Sequence, residues 1–251
     1  MSSSLPLLAL TIDVEWAPAE IIREMLAEVD GRGLRATLFC THTPELKIGG
    51  RHEMALHPNF HGESDWASTF EQLRQQHPGA VGLRSHSLHS DTRLVRLLPN
   101  WGIRYQSNLF APGQAVAPFR RETGLWEIPI HYMDFFHLCV PARHPKGFEA
   151  ACLPSSQPLL VMDFHPIPWF VNAATLSDYE AAKEFYHEPA KLAGLRRKGP
   201  GVATLFGEVL DAAAAGRWQS VTLRETVELL DEDPPDTLWD WPSSTGAAPR
   251  R

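Results

Sequence analysis

Apolar and polar residues along the chain fall into alternating blocks. LPLLALTID (residues 5–13) is an almost unbroken apolar run, which predicts a strand buried on both faces. PAEIIREMLAEVDGRG (18–33) predicts a helix, with Pro18 near its first turn and Gly31 or Gly33 past its end. RATLFCTH (35–42), EMALH (53–57) and AVGLRSH (80–86) read as three further strands, and DTRLVRLLPNWG (91–102) as a short helix. IRYQSNLF (103–110) reads as a fifth strand, GLWEIPIHYMDF (124–135) as extended, and PLLVMDFHP (158–166) as another buried strand. Helices follow within 176–197 and 202–218, then a last strand SVTL (220–223) and a helical turn or two in RETVELL (224–230).

Alternating strands and helices predict a parallel sheet covered by helices. With 251 residues, the expected fold is α/β, a distorted (β/α) barrel of seven or eight parallel strands, with an open doubly wound sheet as the alternative. The barrel is expected over residues 1–232. Residues 233–251, rich in Pro, Ser and acid, read as an appended tail whose anchors are Trp239 and Trp241.

The net charge of -7 argues against a nucleic-acid surface, and the one dense basic run, GLRRKGPG, is too short to reverse that. Three scattered cysteines, Cys40, Cys139 and Cys152, suggest neither a disulfide framework nor a zinc site. The amino-terminal apolar run lacks a basic flank and leads directly into Asp13, and no stretch approaches the length that spans a bilayer. The expectation is a cytoplasmic protein without a transmembrane segment.

In barrels and open α/β sheets, chemistry gathers at the carboxyl ends of strands. The first strand ends in Asp13 and Glu15, the third in His57 and His61, the fourth in Arg84, Ser85 and His86, and the long late strand in Asp163 and His165. Each has a plain structural reading. Asp13 could cap a helix and Glu15 could be a first-turn acid. An isolated His-x-x-x-His is more often a pair of solvated loop residues, Arg84 could be an ion-pair partner, and His165 could be a satisfied core histidine. Their recurrence at equivalent strand ends outweighs these separate accounts. His52-Glu53 is no zinc-protease motif, because the next histidine, His57, is five residues from His52 and Glu53 lies on a strand.

From about Leu5 to about Leu230 the sequence resembles the polysaccharide deacetylases, the carbohydrate esterase family 4-like proteins with a NodB homology domain, in a divergent branch found near surface-polysaccharide genes. Thr11-Ile12-Asp13-Val14-Glu15 stands where the family has Thr-Phe-Asp-Asp. The resemblance makes Asp13 the catalytic base and, with Val14 unable to ligate, passes the metal carboxylate to Glu15. His57 and His61 match the family's His-x-x-x-His metal ligands. Arg84 matches the arginine that braces the base, although RSHSL lacks the usual proline and tyrosine. Asp134 is the nearest candidate for the family's Asp-Trp element. His165 matches the general acid, with Asp163 where leucine is usual, and GRWQSVTLRETVELL resembles the family's last strand and helix.

The resemblance implies one divalent metal, zinc first, with Co²⁺, Mn²⁺, Ni²⁺ or Fe²⁺ as substitutes. Two imidazoles and a carboxylate leave a position open for water, whose pKa the metal lowers. Asp13 would take the water's proton and His165 would protonate the leaving amine. The implied reaction removes an N-acyl group, acetyl first, from an amino sugar such as a surface-polysaccharide precursor. The rivals are a non-catalytic sugar-binding or regulatory protein on the same scaffold, and a hydrolase of small non-sugar amides. The expected partner is an acylated sugar; the sequence assigns no oligomeric state.

Overall fold

The computed structural model describes residues 5–43, 48–62, 65–144, 147–150, 153 and 157–232. The expected tail and Cys152 lie outside the described residues.

The chain runs β1 (Leu7–Asp13), α1 (Ala19–Gly31), β2 (Thr37–Cys40), β3 (Glu53–Leu56), α2 (Trp66–Gln76), β4 (Gly82–Leu83), α3 (Thr92–Leu97), β5 (Tyr105–Gln106), β6 (Phe119–Arg120) and β7 (Trp126–Glu127). It continues through β8 (Tyr132–Met133), α4 (Asp134–Cys139), β9 (Leu159–Phe164), α5 (Pro166–Phe170), α6 (Leu176–Lys183), α7 (Pro189–Gly194), α8 (Val202–Ala214), β10 (Gln219–Val221) and α9 (Leu223–Glu232). The sheet order is β6-β7-β5-β4-β3-β2-β1-β9-β8, with β10 beside the first half of β1. Every pairing is parallel except β6 with β7.

β7 and β8 are the two ends of one extended stretch. Its first part pairs with β5 and, through Ile130, with Phe110. Its second part pairs with β9, where the His131 N–H donates to the Val161 carbonyl at 2.9 Å. One segment thus joins both edges of the curled sheet, and the distorted barrel expected from the strand pattern is the architecture found. Among the described residues the strands number ten rather than seven or eight. The antiparallel β6 and the division of one stretch into β7 and β8 account for the excess.

Side chains alternate across each strand, so the barrel has an inner and an outer core. Leu8, Leu10 and Ile12 pack outward with Ile21, Ile22 and Met25 of α1 and Phe206 and Val209 of α8. Ala9, Phe39, Ala55, Tyr105, Ile128 and Val161 pack inside. A third cluster joins Leu56 and Leu83 to Phe70 and Leu73 of α2 and Leu94 and Val95 of α3. Gly82 makes room for the interior: a Cβ there would stand 1.9 Å from Tyr105 Cζ.

Following the inward face upward, Ala9 gives way to Thr11 and Asp13, Ala55 to His57, and Val161 to Asp163 and His165. The barrel is oily at mid-height and polar at its carboxyl end. Three helices, α2, α4 and α5, were not legible in the pattern. α2 buries only Phe70 and Leu73 and is held at its start by Asp65, which accepts from the Ser68 N–H at 3.0 Å. The stretch read as extended to Phe135 turns helical at Asp134.

None of the described helices is long and apolar enough to cross a membrane. Cys40 and Cys139 are free thiols.

Candidate active site

Arg84, wholly buried at the end of β4, organises the polar end of the barrel. Its Nε donates to the Ser107 carbonyl at 3.0 Å and its Nη2 to the Ser107 hydroxyl at 2.9 Å. Nη1 reaches Thr11 Oγ1 at 2.9 Å, Asp13 Oδ1 at 2.8 Å and Asp163 Oδ1. The guanidinium carbon lies 4.2 Å from the Phe39 ring centroid, a further favourable contact for a buried cation. Asp13 therefore caps no helix. Against the upward push of burial, Arg84, then His57 and His165, hold its pKa below the usual value. Asp163 is pushed up by burial and by the Asp13 charge, with Arg84 offsetting only part.

Beyond β1 the backbone turns sharply, and Glu15 sits in the left-handed region at φ 48°. That turn brings Glu15 back over Asp13. Its Oε1 is 3.0 Å from His86 Nδ1 and 3.7 Å from His57 Nε2. Burial opposes ionisation of Glu15, but His57 and His86 bring its pKa well below the carboxylate range.

His57 shows most directly what the site lacks. Its Nδ1 is 2.9 Å from the Arg84 carbonyl oxygen, which can only accept, so Nδ1 carries the proton. Nε2 is buried and without a hydrogen-bond partner, 3.7 Å from both Asp13 Oδ2 and Glu15 Oε1. Two carboxylates converging on one imidazole nitrogen in a dry site call for a positive charge among them. His86 Nδ1 is likewise buried without hydrogen-bond geometry. Donor atoms of Glu15, His57 and His86 lie within 4.8 Å of one another. Two imidazoles and one carboxylate suit a divalent cation with an open position. Asp13, Asp163 and His165 form a second tight group, but the Arg84 guanidinium already fills the space between its two carboxylates.

His61, expected beside Glu15 and His57, is not brought there. It is exposed, its ring 6.3 Å from that of His89. His-x-x-x-His converges only on a helix, and Pro58 begins a non-helical stretch here. His86 stands in its place, on a turn whose Ser87 and Leu88 have φ of 56° and 52°. The sequence puts His86 at a strand end, but its spacing from His57 matches no ligand motif.

His165 ends β9 and faces the same mouth, its Nε2 4.0 Å from Asp13 Oδ2 and from Glu15 Oε1. Behind it, Nδ1 donates to Asp134 Oδ1 at 2.6 Å, while Asp134 Oδ2 accepts from the His165 backbone N–H at 2.8 Å. Asp134 is fully buried at the start of α4. Burial favours neutral imidazole, but the Asp134 charge and hydrogen bond, then Asp163 and Glu15, raise the His165 pKa well above its usual value. Only the resemblance, through its Asp-Trp element, pointed to Asp134.

Above these groups opens a cavity of about 430 Å³, lined by Asp13, Glu15, His86 and His165 and walled by Trp16, Phe135, Phe136 and Tyr179, with Lys183 also on its lining.

A family model described as "WbmS-like: Polysaccharide deacetylase" matches residues 10–183. Among solved structures, a putative polysaccharide deacetylase of Bordetella bronchiseptica, described as involved in O-antigen biosynthesis, is 27% identical with a TM-score of 0.73. The match covers 81% of this chain and 89% of that one. A putative polysaccharide deacetylase of Mycobacterium smegmatis, 14% identical over 92% of each chain with a TM-score of 0.55, shares the fold. No curated protein matches the chain.

Proposed function

Because the chain belongs to the WbmS-like polysaccharide deacetylases, we propose that it is a metal-dependent hydrolase that removes an N-acyl group, acetyl first, from an amino sugar. The observation that carries this reading is the buried, partnerless Nε2 of His57 facing two carboxylates beside His86.

In this reading Glu15, His57 and His86 would hold one divalent cation, zinc first, which would supply Lewis acidity, lowering the pKa of a water from about 16 towards about 7. Asp13, kept ionised and fixed in direction by Arg84, takes a proton from the attacking water as its oxygen bonds to the acyl carbon. His165, kept protonated by Asp134, gives its proton to the departing nitrogen as the carbon–nitrogen bond breaks. The products are a carboxylic acid and a free amino sugar. Asp13 and His165 thus divide the roles of base and acid because opposite neighbours push their pKa values apart. The description of the Bordetella protein as involved in O-antigen biosynthesis supports extending the substrate to a surface-polysaccharide precursor.

The test is release of acetate from N-acetylated amino sugars by metal-loaded protein, with His86→Ala, His61→Ala and Asp13→Asn beside wild type. Turnover lost in His86→Ala and Asp13→Asn but kept in His61→Ala is the expected result. Metal binding without turnover of any acylated sugar overturns the catalytic reading.

A further inference from the structure

We propose that the acylated sugar carries an anionic group, a phosphate or a carboxylate, and that Lys183 receives it at the cavity wall. This rests on the deacylation reading and names its substrate class.

Lys183 closes α6, and among the described residues it is the only lysine or arginine lining the cavity. Its ammonium lies 4.8 Å from the Tyr179 ring centroid, and Tyr179 is itself cavity wall. Tyr179, Asp13, Glu15 and Lys183 thus line one cavity. Burial, then the charges of Glu15 and Asp134, push the Tyr179 hydroxyl pKa up. A sugar with its acyl group over Glu15 and His86 would put a substituent of the same ring, or of its anomeric carbon, against Lys183.

The existing partner of Lys183 is weak. Its Nζ meets Glu180 at 2.8 Å, but the two side chains are 46% and 53% exposed. An exposed pair of this kind contributes little and exchanges readily for a ligand anion.

Shape bears on the same point. About 430 Å³ suits one or two sugar rings rather than a length of polymer. Trp16, 43% exposed at the rim, offers a flat apolar face for a ring.

The experiment compares acetate release by metal-loaded wild type, Lys183→Met and Lys183→Arg on three substrates. These are N-acetylglucosamine 1-phosphate, the corresponding N-acetylated aminouronic acid, and neutral N-acetylchitobiose. Met keeps the length over Tyr179 and Arg keeps the charge; thermal melting checks that both variants fold. Wild type is expected to prefer one anionic substrate by about tenfold or more in kcat/KM, through KM, and the preferred arm tells phosphate from carboxylate. The preference should shrink in high salt, collapse in Lys183→Met and persist in Lys183→Arg. A wild-type preference for the neutral sugar, or an equal loss on all three substrates in Lys183→Met, overturns the proposal. If no acyl sugar is turned over, the deacylation reading fails. Equilibrium binding of the 1-phosphate against the neutral sugar then decides Lys183 alone: a preference lost in Lys183→Met supports it, and equal binding overturns it.

Discussion

The two ends of the barrel interior both bury carboxylates, and they treat them differently. At the amino end, Glu53 Oε1 accepts from the Tyr105 hydroxyl at 2.9 Å, and Oε2 accepts from the Thr37 hydroxyl at 3.0 Å and the Arg224 backbone N–H at 2.8 Å. Neither oxygen is left without a donor, and the Arg224 guanidinium stands 3.6 Å from Oε1. At the carboxyl end, Asp13 and Asp163 share one arginine, Glu15 and Asp134 lie against histidines, and His57 Nε2 and Asp163 Oδ2 find no partner. A satisfied buried acid contributes to the fold. Unsatisfied, mutually repelling groups persist only where something further, a cation or a substrate, completes them.

The largest expected break of this contrast is Asp13→Asn. It keeps shape and ligands, so metal content should stay while kcat falls by about 10²-fold or more, and excess metal should not restore it. Kinetics paired with metal analysis checks this, and loss of metal instead would make Asp13 a ligand.

Next come the ligand variants. Glu15→Ala and His86→Ala should each lose metal affinity steeply, with partial rescue by added metal, while His61→Ala keeps it. Titration with a chelator distinguishes them. Chelation should also lower the melting temperature of wild type more than of His86→Ala, because the bound cation stabilises the folded state by mass action.

Asp134→Asn sharpens the contrast within the mouth. It removes the charge that most raises the His165 pKa, so the alkaline limb of the kcat/KM profile should move to lower pH. The acid limb, set by Asp13, should move less. An unchanged profile would take the acid's role from His165.

The smallest effect belongs to Glu53→Gln. Burial raises the Glu53 pKa above its ordinary 4.5, so the folded state holds this proton more tightly than the unfolded chain. Its contribution is present in full below about 4.5 and is lost as pH rises through the folded-state value. The glutamine variant should keep activity and metal, change stability by no more than about 1 kcal/mol at neutral pH, and flatten the fall of stability with pH above 4.5. Melting curves from pH 4 to 8 test the sign.

The long elements were legible because burial on both faces writes itself as an apolar run. β1, α1, β2, β9 and α8 lie close to where the pattern puts them, and strand ends are where polar residues interrupt those runs. Thus Asp13, Glu15, His57, Arg84 and His165 could be marked as neighbours at one mouth from the text alone. α2 was missed because its buried stripe is two residues, and α4 because nothing in HYMDF signals the change from strand to helix.

What the sequence determined by itself was the layering: alternation along strands decides which side chains enter the barrel, and that is a local property of the chain. Which of them meet was decided by the tertiary structure. His61 looked like a ligand by spacing, yet spacing converges side chains only on a regular element, and Pro58 opens an irregular one. His86 follows a two-residue strand and stands directly before two left-handed residues, Ser87 and Leu88. Asp134 reaches His165 because β8 and β9 lie side by side, although 31 residues separate the two in the chain. Contacts of that kind depend on turns and strand pairings that hydrophobic periodicity does not encode.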